Sequence, residues 1–440
     1  RYFGATYKAY RSYLVKNVEM LGDAHRFLGA LVARKCVFRS VLAFAGNPDG
    51  IVMRKPPSPA RTFMRPDPAY GGGPPMDRAN PSRSMPVAIP AADSRRKVLA
   101  HLSGNRIVDM VREDLKLSDV LNRQAFENAI TVNAAIGGST NFIIHLLAIA
   151  ARIGVDLTMD DFNTAAKGVP LLANLQPSGK YFMEDFYYAG GLPVLMKELK
   201  QFLHNDTITV SGKPVSANYD NCECYNSDVI SSIDKPFNTV AGIAVVKGNL
   251  AVNGAVLKPS AATPSLLVHT GKAVVFETIE DYRHKIDDPD LDVEEGSILV
   301  LKNVGPKGYP GMPEVGNMSI PKKLLDKGVR DMVRISDGRM SGTGFGTVVL
   351  HVSPEAAVGG TLAIVQDGDI IRLDVPAGIL HIELTDKEIA ERKSKLLPQP
   401  NISTRGYAHL YQMHVEQAHL GADLDFLRGC SGSEVVRDSH

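Results

Sequence analysis

Apolar positions recur along the chain with two different periods, and the change between them divides it. From Asp93 onward Val98, Leu99, Leu102, Ile107, Val108 and Val111 fall at helical spacing. That spacing predicts a helix with Asp93 or Ser94 as its N-cap and an interruption near Gly104. A second helix is expected after the GGST turn at 137–140, where Phe142, Ile143, Leu146, Leu147, Ala150 and Ile153 follow Asn141; it should be buried. A third, over 191–202, puts Leu192, Leu195, Met196, Leu199 and Phe202 on one face. Beyond about residue 236 the period shortens. Apolar or alternating runs at 243–246, 273–276, 298–301, 332–335, 348–352, 362–365, 370–375 and 379–384 read as strands, separated by Gly, Asn and Asp. So many short strands in sequence suggest a closed barrel or a sandwich. Thr385 with Glu388 then forms a capping box for a helix through Lys393, and the chain closes helically around 409–420.

The segment 48–90 breaks this regularity. It holds 11 of the chain's 27 prolines and shows no period, so it reads as loop or linker, of a length that argues against a normal fold there. Residues 1–85 are also basic, with 14 Lys and Arg against 5 Asp and Glu, leaving −8 on the rest of a chain whose total is +1. That overall balance gives no electrostatic reason to expect nucleic acid or an acidic membrane surface as partner. The most apolar stretch, 142–155, contains His145 and Arg152 and is shorter than the roughly 20 residues a membrane span requires, so no span is expected. At 440 residues, 44% of them hydrophobic, the chain should form at least two domains. Arg1 fits the edge of a longer polypeptide, and no signal peptide is expected.

Cys36, Cys222, Cys224 and Cys430 are too few and too scattered for a disulfide framework, which suits a reducing compartment. Cys222 and Cys224 lack a second ligand pair at zinc-site spacing and are expected to be structural. In DGRMSGTGFG, Gly342, Gly344 and Gly346 leave Ser341 open in a tight turn. The segment is not a nucleotide fingerprint, because a strand-like TVVLHV follows it where a helix is required. GPKGYPGMPEVGNM, over 305–318, constrains an irregular loop around the carboxylate of Glu314. Such a loop suits a ligand for a hard divalent cation, or simply a rigid barrel corner.

These two segments, with ITVNAAIGGSTNFIIHLLAIA, GKYFMEDFYYAGGLP, KGNLAVNGAVLKPSAAT and the tail GADLDFLRG, carry a resemblance. The chain from about residue 85 to 440 resembles the iron–sulfur dehydratases of the IlvD/Edd family, which includes dihydroxyacid, phosphogluconate and sugar-acid dehydratases. GYPGMPEVGNM and SDGRMSGT are most similar to the arabinonate and xylonate branch. The resemblance implies an α/β fold: a helix-rich α/β N-terminal domain, incomplete here, then a β-barrel-like C-terminal domain with a terminal helical segment. The expected boundaries are an atypical segment 1–85, then 86–236 and 237–440. It also implies elimination of water from a 2,3-dihydroxy acid to give a 2-keto-3-deoxy acid, with a [2Fe-2S] cluster acting on the departing hydroxyl and Mg2+ gripping the carboxylate and α-hydroxyl. Carried over by motif, Glu314 is the magnesium ligand, Ser341 the base and Thr343 a substrate contact. The implied partners are a small sugar acid and further copies of the chain, as a dimer or tetramer. The implied location is cytoplasmic, or mitochondrial for a eukaryotic dihydroxyacid dehydratase.

One part of the pattern is missing. The family's cluster cysteines and magnesium-binding Asp-Lys pair precede the segment matched by MPVAIPAADSRRK, yet upstream of Met85 the chain has only Cys36 and neither motif. Two other readings therefore stand beside sugar-acid dehydration: a non-catalytic paralogue or fragment, and the dihydroxyacid dehydratase of branched-chain amino-acid synthesis.

Overall fold

The computed structural model describes residues 89–90, 93–341, 344–397 and 403–429. The segment 1–85, Thr343, Cys36 and Cys430 lie outside them.

The helical part begins with α1 (Arg95–Arg112), which runs through Gly104 without the expected interruption. A glycine costs a helix about 1 kcal/mol relative to alanine, too little to stop eighteen residues. Asp93 provides the start, accepting the Arg95 amide at 2.8 Å, while Ser94 makes no side-chain cap. Its apolar positions are largely open: Val98, Ile107, Val108 and Val111 are exposed and Met110 is buried. After α2 (Leu117–Val120), α3 (Arg123–Ile136) starts on Asn122, whose side chain accepts the Ala125 amide, and ends at Gly137 with φ +62°. That left-handed residue suits glycine and turns the chain into α4 (Asn141–Arg152). As its periodicity requires, α4 buries Ile143, Ile144, Leu146, Leu147 and Ile149. Then follow α5 (Met159–Ala165), α6 (Met183–Tyr188) and α7 (Gly191–Glu198), the last continued by a 3-10 turn, with Leu195 and Leu199 fully buried.

The strands β1 (Ala244–Val246), β2 (Gly254–Leu257) and β3 (Val268–Phe276) are followed by α8 (Ile279–Lys285), β4 (Ile298–Leu301) and α9 (Lys322–Leu325). Next come β5 (Arg334–Ser336), β6 (Val348–Ser353), β7 (Ile370–Asp374) and β8 (Ile379–Ile382). They form one eight-stranded sheet in the order β1-β2-β6-β5-β4-β3-β7-β8, in which β3 to β6 are mutually parallel and the remaining pairs antiparallel. The edges meet where the Lys247 amide donates to Gly378 O and the Leu380 amide to Lys247 O, both at 2.8 Å. The sheet is thus a nearly closed barrel, which leaves few unpaired edge groups. Val246, Leu257, Val300, Ile335, Val349 and Leu373 fill its interior. Alternate residues such as Phe276, Leu299 and Leu301 face outward, packing with Ile279, Tyr282 and Leu324 from α8 and α9.

One expected strand is not a strand. Residues 362–365 belong to a 3-10 turn, Thr361–Ile364, whose Leu362 and Ile364 are buried against the barrel. A short apolar run marks burial, and burial is common to both conformations. Conversely β2 carries only three apolar side chains between Gly254 and Lys258, too short a run to register, and it is buried on both faces. The capping box of Thr385 and Glu388 opens α10 (Asp386–Ser394) as expected, and α11 (Gly406–His414) with a following 3-10 turn forms the helical end.

The helical part docks on the barrel through a shared core in which Ile143, Ile144, Met159 and Phe162 meet Val245 and Val256. At its edge Gly242 donates its amide to Ala134 O at 3.0 Å, and a Cβ on Gly242 would stand 2.4 Å from the Gly137 Cα. Only a residue without a side chain lets the GGST turn sit this close to the start of the barrel.

Candidate functional site

Because β4 and β5 are parallel neighbours, the chain leaves both at the same rim, and this brings the segments around Glu314 and Ser341 together. The rim is tied where the Val304 amide donates to the Asp337 carboxylate at 3.0 Å. Further on, the Gly316 amide donates to Arg339 O and Arg339 Nε to Met312 O, each at 2.7 Å. Since β6 is also parallel to β5, the serine loop must return to the starting end of β6. It does so along the outside of the barrel. Met340 packs with Val348 and Leu350, while Val349 and Val352 point inward. The two loops therefore converge on the outer flank of β5 and β6, next to the helical part, rather than over the barrel's open end. A Cβ on Gly316 would lie 2.6 Å from Leu350 Cδ2, so the approach requires glycine.

Asn141, the first residue of α4, reaches this junction. Its Nδ2 donates to Glu314 Oε1 at 3.2 Å and to Met340 O at 2.9 Å. One amide group thus touches the carboxylate of the first loop and the residue preceding Ser341 in the second. Glu314 and Ser341 are both exposed, so a ligand can reach them. Asn141 entered the sequence reading only as a helix start; an amide side chain directly after a GGST turn was the available signal.

Buried polar groups hold the two loops from behind. Arg334, at the start of β5, is 4% exposed and pairs with Asp331 at 2.9 Å. Its guanidinium also donates to Met318 O and Phe345 O, one on each loop. Asp331 in turn accepts the Thr347 amide and hydroxyl. Asp337 is fully buried and accepts the amides of Val304 and Ala356. Burial, with the nearby Glu355 carboxylate adding to it, pushes the Asp337 pKa up to about 7. Glu355 accepts the Lys307 and Gly308 amides at the head of the first loop and Gln417 Nε2, and burial raises its pKa as well. His351 donates its backbone amide to Gly338 O, and neither of its ring nitrogens has a hydrogen-bond partner. Burial, with Arg339 and His145 nearby, lowers its pKa to about 3 and keeps the ring neutral.

A [2Fe-2S] cluster needs thiolates, and the described residues do not supply them. The thiols of Cys222 and Cys224 donate to the carbonyls of Asn218 and Ile230 at 3.6 and 3.4 Å, and burial holds Cys224 toward its protonated form. No three His, Cys, Asp or Glu side chains among the described residues are placed to hold a metal ion. For magnesium they offer Glu314 without two companions, so the described residues do not fit either group as a complete site.

The matches to known proteins agree with this layout. Residues 84–218 match the dihydroxy-acid/6-phosphogluconate dehydratase N-terminal model and residues 228–422 the corresponding C-terminal model. The chain belongs to the dihydroxy-acid/6-phosphogluconate dehydratase family, whose members are hydro-lyases. It is 59% identical over 356 residues to the L-arabinonate dehydratase of Rhizobium leguminosarum bv. trifolii, a match covering 80% of this chain and 62% of that protein. It is 55% identical over 363 residues to the L-arabonate dehydratase of Azospirillum brasilense, with the same coverages. To the 6-deoxy-6-sulfo-D-gluconate dehydratase of Pseudomonas putida it is 48% identical over 344 residues, 78% of this chain and 59% of the other. The chain thus spans about three fifths of the length of these curated relatives. Among the described residues no helix is long and apolar enough to cross a membrane.

Proposed function

We propose that this chain carries the acid-and-serine part of a sugar-acid dehydratase site, acting on a 2,3-dihydroxy acid of the arabinonate class to give the 2-keto-3-deoxy acid. The observation that carries the reading is the single Asn141 amide between Glu314 and the serine loop, in a chain whose relatives bear the names of arabinonate and sulfogluconate dehydratases. In the reaction the Cα–H bond breaks, its electron pair forms the Cα–Cβ double bond, and the Cβ hydroxyl departs with a proton as water. The resulting enol tautomerises to the ketone. Ser341 is the group assigned to take the α-proton; a serine hydroxyl needs cationic or amide neighbours to hold the negative charge. Glu314 contributes negative charge at the opposite side of the junction, where it suits a bound divalent cation. Thr343 remains assigned to the substrate by motif alone. The cluster, the magnesium ion, self-assembly as a dimer or tetramer, and a cytoplasmic location are further parts of the proposal, drawn from the resemblance.

The test is turnover of L-arabinonate against 2,3-dihydroxyisovalerate by purified chain after anaerobic treatment with iron, sulfide and magnesium, with iron and sulfide measured on the same sample. Keto-acid formation from L-arabinonate supports the reading, preference for dihydroxyisovalerate moves the chain to the branched-chain enzyme, and no turnover with no retained iron leaves a non-catalytic paralogue or fragment.

A further inference from the structure

His145 in α4 is open to solvent, although Ile144 and Leu146 on either side of it are buried. It follows Asn141 by four residues, so the two side chains share one face of the helix, about 6 Å apart along its axis. That face meets the loops, because Asn141 Nδ2 reaches Glu314 Oε1 and Met340 O. The His145 ring is within electrostatic reach of Arg339, two residues before Ser341, and of His351 on β6. Arg339 is in turn anchored to the first loop through Met312 O at 2.7 Å. His145 thus stands where α4, the two loops and the flank of β6 come together.

A side chain on a convex surface is bathed in water and titrates much as it does in a peptide. His145 does not: burial, with the Arg339 charge adding to it, lowers its pKa to about 4. Accessible surface together with desolvation describes the floor of a recess, open on one side and enclosed on the others. Neither ring nitrogen hydrogen-bonds to any described residue. The neutral ring therefore offers one donor and one acceptor. It does not attract a carboxylate as a cation would, whereas a hydroxyl, which both gives and takes a hydrogen bond, matches it.

We propose that His145 is a substrate-contacting residue that holds a hydroxyl beyond C3 of a sugar acid, and so selects polyhydroxylated acids over 2,3-dihydroxy acids that end in alkyl groups. The proposal rests on the sugar-acid reading above and specifies how the far end of that substrate is held. The reading leaves the carboxylate and α-hydroxyl to a cation at Glu314 and the α-proton to Ser341. With C1 to C3 at the two loops, C4 and C5 of L-arabinonate carry hydroxyls that neither of these groups takes. One turn of α4 is a distance that two such carbons can bridge.

The experiment is calorimetric titration of the purified chain, in the presence of magnesium, with L-arabinonate and with 2,3-dihydroxybutanoate, which has the same carboxylate and first two hydroxyls but ends in a methyl group. The unaltered protein, His145→Phe and His145→Gln are compared, each checked for its thermal midpoint. The unaltered chain should bind L-arabinonate about tenfold or more tighter than the butanoate. His145→Phe should remove that preference by weakening L-arabinonate alone, and His145→Gln, whose amide still donates and accepts, should keep part of it. Should His145→Phe fail to fold, His145→Ala carries the same comparison. Equal affinity of the unaltered chain for the two acids, an undiminished preference in folded His145→Phe or His145→Ala, or an equal loss of both acids, as from a residue that only supports the site, overturns the proposal. If L-arabinonate is still converted alongside such a result, the dehydratase reading stands; an unaltered chain that neither binds nor converts L-arabinonate removes both.

Discussion

Asn141 and Glu314, 173 residues apart in the chain, are joined by a 3.2 Å hydrogen bond from the amide of one to the carboxylate of the other. Helical part and barrel meet at that contact, and the same amide nitrogen holds the carbonyl of Met340. Asn141→Ala should therefore lower kcat/KM for L-arabinonate by roughly tenfold to a hundredfold, the range for losing a hydrogen bond to a charged group. Its stability in urea should fall by only about 1 kcal/mol, because Glu314 is exposed and the Met340 carbonyl alone loses a partner.

Arg334→Met should destabilise the protein by about 3 to 5 kcal/mol in urea unfolding. It leaves the buried Asp331 carboxylate without its cation and frees one carbonyl on each loop. Thr347 continues to donate to Asp331, so the loss should stay within that range.

Asp337 gives a pH dependence with a definite sign. Its folded pKa, about 7, lies above the ordinary carboxylate value of 3.8, so the folded state binds its proton more tightly than the unfolded state. The stability it contributes is complete below about pH 4 and is lost as pH rises through about 7. Glu355→Gln removes the adjacent carboxylate and should move that decline to lower pH, which urea unfolding across pH 4 to 8 will report.

Gly242→Ala should cost about 1 to 3 kcal/mol, since its Cβ would meet backbone at Gly137 rather than a movable side chain. The same substitution should lower L-arabinonate turnover, because it pushes the turn before Asn141 away from the barrel.

Much of the fold was readable from local signals. The buried α4 follows from its apolar spacing, α10 from Thr385 and Glu388, and seven of the observed strands from runs bounded by Gly, Asn and Asp. Where reading failed, the missing information was tertiary. Residues 362–365 and β2 differ in conformation but share burial, and a short apolar run reports only burial. The exposed valines of α1 carry a helical pattern that no described residue covers. Glu314 and Ser341 stood out through the constrained loops around them. Asn141 did not, because it matters through Glu314 and Met340, 173 and 199 residues away, which come into reach only where α4 docks beside the loops leaving β4 and β5.

The proton step assigned to Ser341 is the centre of this account, and its most direct measurement is the fate of the C2 hydrogen of L-arabinonate. The protein, treated anaerobically with iron, sulfide and magnesium, is incubated with the acid in D2O and the C2–H signal is followed by NMR. The account predicts that the signal disappears with the unaltered chain, and that Ser341→Ala slows this by about a hundredfold or more while still binding the acid. A C2 hydrogen that persists with the unaltered chain, or that is lost equally fast with Ser341→Ala, would contradict it.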